Sequence, residues 1–279
     1  MAQGDLSRIR SNIAGLNILR ALRDVNNRVQ IHQLRLATGK RINNAGDDPA
    51  GLSIATKLDS RNRALQQVFN NIGEAKNLLN VSEGALQKVN DILVEVQAKL
   101  EQSANDTLGT AERQSIAQVL IHLRDEIDSI ANETTFNGVK LLGSSTTFTF
   151  QTGEVSQTAF TTAQYFVTAL NMTNLAALTS TSVIGPDNYL TYLNEVTAAM
   201  ATVSSGLTNV GGLTNRFSIK EEVISIQQAN TEAVVSRIMD ADIALEQLNL
   251  TKNQILQQAT TAMLAQANLN SQALLSLFG

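Results

Sequence analysis

The 279-residue sequence has no cysteine and no tryptophan, only two prolines, and only two histidines, His32 and His122. Without cysteine there can be no disulfide, no thiolate nucleophile and no thiolate-bound metal. Two histidines are too few for a histidine-rich metal centre. So few prolines suit long uninterrupted helices better than a loop-rich enzyme. No apolar run approaches the roughly 18 residues that a membrane span needs. The first residues, Met1-Ala2-Gln3-Gly4-Asp5, show no basic segment followed by an apolar one, so a cleavable secretory signal is not expected. A net charge of −4, with pI about 5.3, supplies no overall basic field for nucleic acid. What is present is apolar material, 43% of residues against 16% charged, enough for a sizeable core.

Charge is spread unevenly. Residues 1–45 hold eight Lys/Arg against Asp5 and Asp24, whereas residues 141–215 hold no Lys or Arg and only Glu154, Asp187 and Glu195. Of the 40 residues from Ser144 to Val183, 16 are Ser or Thr. Two helical arms flanking a low-charge insert are expected.

Within the arms, apolar residues recur at steps of three and four. Leu65, Val68, Ile72, Ala75, Leu79, Ser82, Leu86, Val89, Leu93, Val96 and Leu100 form a coiled-coil seam in which Ser82 alone is polar. Asp48 is suited to cap this helix and Pro49 to open it. Loop residues Asn105 to Gly109 then lead to a second helix after Thr110, antiparallel to the first. Beyond the insert, Leu193, Val196, Met200, Val203, Leu207, Val210 and Phe217 continue the pattern, with a break or bend expected at Gly211-Gly212. The insert reads as short strands: Asn137-Gly138 is a hairpin dipeptide, and Thr147–Gln151 alternates. The fold expected is mainly α, a long antiparallel helical rod with a small β-hairpin region.

Residues that could carry chemistry have plainer explanations. Asp47-Asp48 are adjacent, and Asp48 before Pro49 reads as a cap rather than half of a catalytic pair. Asp125, Glu126 and Asp128 lack the glycine-bearing loop of a calcium site and read as a solvated face. His32 falls in step with Val29 and Leu36 and is expected to be packed; His122, beside Leu123, is expected to be structural. No nucleotide-binding glycine motif or nucleophile elbow occurs. No catalytic, cofactor or metal residues are assigned.

The chain ends pose a physical problem. Apolar stripes run through Leu6, Ile9, Ile13, Leu16, Leu22 and Val29, and through Ile238, Leu245, Leu248, Ile255, Ala259, Leu269, Leu274, Leu277 and Phe278. Two such helices cannot bury all of this against each other, and an isolated pair is marginal in water. Identical neighbours can cover the remainder, and head-to-tail contacts that do not close give a helical filament. The basic N-terminal arm is interleaved with apolar residues, which favours partner helices over a membrane surface or nucleic acid.

Several segments resemble the signature blocks of one family. Residues 38–52, TGKRINNAGDDPAGL, resemble the bacterial flagellin pattern SSG-x-RIN-x-A-x-DD-x-AGL. Residues 83–86 (EGAL), 135–142 (TFNGVKLL), 236–242 (SRIMDAD), 255–259 (ILQQA) and 264–268 (LAQAN) match further blocks in the same order. Only the stretch around 144–190 is unmatched.

The resemblance implies a structural subunit that self-assembles into the extracellular flagellar filament for swimming motility, without a cofactor. It also implies an export chaperone, cap and junction proteins as partners. By that pattern residues 1–44 and 237–279 form the inner D0 helices, 45–143 and 191–236 form the D1 rod, and 144–190 form a short variable insert. Leu65, Val68, Ile72, Leu79, Leu86, Val89, Leu93, Val96 and Leu100 are the expected rod core. The runner-up of the same architecture is a hook–filament junction protein. The family's QRVREL segment, which animals' flagellin-sensing receptor engages, has Glu95 where its first arginine stands, so weak receptor activation is expected. The Ser/Thr-rich insert is a candidate for O-glycosylation.

Overall fold

The computed structural model describes residues 12–142, 147–154, 157–161 and 172–275. Its helices are α1 (Ile13–Thr38), α2 (Pro49–Ser103), α3 (Thr110–Glu133), α4 (Thr173–Ala176), α5 (Tyr189–Met239) and α6 (Ile243–Leu275). Two antiparallel strand pairs accompany them: β1 (Thr135–Phe136) with β2 (Val139–Lys140), and β3 (Thr147–Gln151) with β4 (Gln157–Thr161). The chain falls into two compact units, Arg63–Gln228 and Met1–Asn62 with Ala229–Gly279.

The Arg63–Gln228 unit has a continuous apolar core. Leu65, Val68, Ile72, Leu79, Leu86, Val89, Leu93, Val96 and Leu100 are all at most 5% exposed. They belong to one cluster with Ile116, Leu120 and Ile127 of α3 and with Val196, Val203, Val210 and Phe217 of α5. Three seams at 3–4 spacing therefore bury one another, as in a coiled coil. Ser82 sits in this core at no cost in lost hydrogen bonding, because its hydroxyl donates to Leu78 O at 3.1 Å. The α2–α3 loop is held by Arg113, whose guanidinium donates to Leu108 O and Asn105 O.

The helix break expected at Gly211-Gly212 is absent, since α5 runs unbroken through both. Each glycine costs about 1 kcal/mol of helix propensity relative to alanine. Burial of Val210 and Phe217 on either side holds the helix across them. His122 is exposed rather than packed.

In the β region, Phe136 pairs with Val139 across Asn137 (φ 50°) and Gly138 (φ 78°), the double left-handed turn that an Asn-Gly pair favours. The β3–β4 hairpin is fastened to α5. Phe150 meets Phe217 edge-on with centroids 6.1 Å apart. Lys220 Nζ donates to Thr152 Oγ1 at 2.5 Å, and the Thr152 and Thr158 hydroxyls lie 3.0 Å apart. Burial, with a smaller push from Arg216, holds the Lys220 ammonium below the usual lysine range.

Candidate assembly surface

In the Met1–Asn62/Ala229–Gly279 unit, two of the signature segments meet. Gly39 ends α1 in the left-handed conformation (φ 68°) that glycine adopts freely. The chain then runs antiparallel to residues 239–241: Arg41 N donates to Met239 O at 2.6 Å and Ala241 N to Gly39 O at 2.9 Å. The Arg41 guanidinium donates to Ile238 O and lies 3.7 Å from Asp48.

Each of the four aspartates of these motifs has a local task, Asp240 accepting from Ser236 Oγ at 2.6 Å. Asp47 Oδ2 accepts from Asn43 N and Asn44 N, both at 3.0 Å, and these two bonds hold its carboxyl below the usual carboxylate range. Asp48 caps α2 by accepting from Gly51 N at 2.9 Å. Gly51 is required there: a Cβ would stand 2.4 Å from Asp48 Oδ2 and 2.9 Å from Ile42 Cδ1. Asp242 caps α6 through Leu245 N. Caps and local ties occupy these carboxylates, and no acid–base chemistry is built from them.

α1 and α6 pack antiparallel. Asn12 donates to Ala267 O, Gln257 donates to Asn26, and Glu246 pairs with His32 and with Arg35 (3.2 Å). On α6 the face toward α1 runs Glu246, Leu250, Asn253, Gln257, Thr260, Leu264 and Ala267, a 3–4 seam in which four of seven positions are polar. Asn253 and Thr260 spend their hydrogen bonds on their own helix, to Asn249 O and Leu256 O. They therefore add little across the seam.

The apolar stripe read from the sequence lies on the other side. Leu245, Leu248, Ile255, Met263 and Leu269 are 52–63% exposed, and Ala259 is exposed too. Leu248, Ile255 and Leu256 line a shallow, mostly apolar depression on α6 with Ala244, Thr251 and the stem of Lys252. On α1, Ile13 and Leu16 face outward, Leu22 is half-buried and Val29 is buried; Ile238 is half-buried. Leu6, Ile9, Leu277 and Phe278 lie outside the described residues, as does the side chain of Leu274. The Glu246–His32–Arg35 cluster was not legible in advance; its one signal is the placement of His32 in step with Val29 and Leu36. Among the described residues no helix is long and apolar enough to cross a membrane, and no group of three metal-ligating side chains occurs.

These features define a class: a long helical subunit that keeps its core in one unit and turns an apolar helix face outward in the other. Residues 9–147 match the bacterial flagellin N-terminal helical region, and residues 193–278 match the bacterial flagellin C-terminal helical region. The chain is 34% identical to a flagellin of Bacillus subtilis, covering 97% of this chain and 99% of that one. It is 31% identical to a flagellar filament core protein of Treponema maltophilum, over 96% and 99%. In fold it is similar to a protein of the flagellar hook-associated class from Vibrio parahaemolyticus, with a TM-score of 0.61, 19% identity, and 70% of this chain and all of that one covered. The chain belongs to the bacterial flagellin family, a family of structural subunits of the flagellar filament.

Proposed function

We propose that this chain builds an extracellular flagellar filament for swimming by laying the outward stripe of α6, with the outward ends of α1, against the same helices of neighbouring copies. The observation that carries this reading is the uneven split on α6: Glu246, Asn253, Gln257 and Thr260 sit among Leu250 and Leu264 on the side facing its partner helix, while Leu245, Leu248, Ile255, Met263 and Leu269 face away. Fully burying one such side chain is worth about 1.5–3 kcal/mol, so covering five that are half exposed supplies on the order of 5 kcal/mol per subunit. That gain exists only in the polymer.

The proposed boundaries, 1–44 and 237–279 for the inner helices and 45–236 for the rod, are supported by the gaps between α1 and α2 and between α5 and α6. Export and capping partners follow the family pattern. The relatives' names favour a filament subunit over a junction protein, and no enzymatic role is proposed.

Leu245→Asp, or deletion of 270–279, is expected to leave a soluble monomer that fails to polymerise, read by sedimentation and negative-stain microscopy. Normal filaments from either variant would contradict the proposal.

A further inference from the structure

The turn between β1 and β2 carries a reactive pair. Of all the asparagines in the chain, Asn137 alone is followed by glycine. Both residues are exposed, and nothing lies within 4 Å of where a Cβ on Gly138 would stand. We propose that Asn137 is a site of spontaneous deamidation to aspartate and isoaspartate, reached when the hairpin tip opens, with water as the only co-reactant. The reaction belongs to the single chain and proceeds whether or not copies polymerise.

The chemistry needs only groups of the turn itself. The backbone nitrogen of Gly138 attacks Cγ of the Asn137 side chain and closes a succinimide ring. The side-chain Cγ–N bond breaks, and ammonia leaves with the proton that the Gly138 nitrogen gives up. Water then opens the ring. Opening at the side-chain carbonyl gives aspartate; opening at the main-chain carbonyl gives isoaspartate, with the backbone routed through the former side chain. Glycine permits the attack because no Cβ stands beside its nitrogen.

The fold sets the rate. With Asn137 at φ 50° and Gly138 at φ 78°, the intact turn fixes the peptide plane between them, and ring closure requires that plane to rotate out of the turn. Only two residue pairs hold the tip, Thr135 with Lys140 and Phe136 with Val139, and Thr135, Val139 and Lys140 are exposed. So short a hairpin is marginal by itself, and its tip opens at little cost. Opening stops at the base, where Leu141 N donates to Thr134 O at 3.0 Å and Leu141 and Leu142 are buried. Most other asparagines lie within the helices, where the following N–H is committed to a helical hydrogen bond. Asn132, near the end of α3, is one of these.

Isoaspartate adds a backbone carbon to a two-residue turn. Phe136 and Val139 then lose their register, and half-buried Phe136 loses the strand that holds it against the core.

The test uses the full-length chain, incubated in mildly alkaline buffer and read by mass spectrometry, with an isoaspartate-specific methyltransferase as a second probe. Trypsin releases the peptide 125–140, which carries Asn132 and Asn137 together. Asn137 should be converted roughly tenfold faster than Asn132, or more, with isoaspartate as the main product. Conversion no faster than that of Asn132 would overturn the proposal. Thr135 and Lys140 stand opposite each other, so a Thr135→Cys, Lys140→Cys double variant can lock the tip when oxidised and free it when reduced. Oxidation should slow conversion at position 137 about fivefold or more. Equal rates in the two forms would overturn the route through an opened tip.

Discussion

The same 3–4 apolar spacing leads to opposite outcomes in the two units. In the Arg63–Gln228 unit the spaced leucines and valines of α2 meet two further apolar seams and are almost fully buried. On α6 an equally regular series is more than half exposed, and the buried seam carries Glu246, Asn253 and Thr260 instead. Periodicity identifies a face that avoids water; it does not say whether the same chain or another copy covers it. In the first unit three seams are available within the chain. In the second, α1 turns Leu19, Leu22, Val25 and Val29 toward α6, but α6 answers with the more polar of its own two sides. This leaves the pair weak alone and its best apolar surface free for assembly.

The comparison breaks most sharply under substitution of equivalent leucines. Leu93→Ala should cost 2–5 kcal/mol of monomer stability, as for a fully buried leucine, measured by urea unfolding. Leu248→Ala should leave monomer unfolding within about 0.5 kcal/mol of the parent and act on assembly instead, raising the critical concentration for polymerisation roughly fivefold, or about 1 kcal/mol. Equal effects of the two on the monomer would erase the distinction between the units.

A smaller effect comes from converting the terminal pair toward the other unit's chemistry. Asn253→Leu with Thr260→Val should stabilise α1 against α6 by about 2 kcal/mol. Amide exchange at 13–38 and 243–269 should then slow in the isolated monomer. Glu246→Ala should do the reverse, loosening the pair by about 2 kcal/mol because Arg35 and His32 lose their shared carboxylate in a mostly buried seam. Unchanged exchange in either variant would show that the seam does not limit the pair.

The smallest expected effect lies at the joint between the two signature segments. Asp47 is held below the usual carboxylate range by the amides of Asn43 and Asn44. A depressed carboxyl contributes stability above its unfolded-state pKa and loses it as pH falls through the folded-state value. Acidification below about pH 4 should therefore speed amide exchange at Asn43 and Asn44, and Asp47→Asn should show that faster exchange already at neutral pH. The buried leucine core of the other unit should not respond over the same range.

Much of the architecture was legible from local rules. Asp48-Pro49 marks the start of α2, Asn137-Gly138 the β1–β2 turn, and the eleven-position seam from Leu65 to Leu100 the core of α2. These are decided by capping, turn geometry and periodicity, each acting within a few residues. The unbroken α5 at Gly211-Gly212 was not legible, because burial of distant partners outweighs a local propensity. Asp125, Glu126 and Asp128 are exposed, as a solvated acidic face requires.

The amino-acid order by itself determined the long helical segments, the Asp48 cap, the family and the existence of apolar stripes at both ends. Tertiary structure alone decided which side of α6 meets α1, that segments 38–52 and 236–242 bridge through Arg41, Met239 and Gly39, and that Lys220 fastens the β3–β4 hairpin through Thr152. The reason is physical: spacing along a helix defines faces, but which face is covered depends on groups far away in sequence and on how many apolar surfaces the folded chain can bring together.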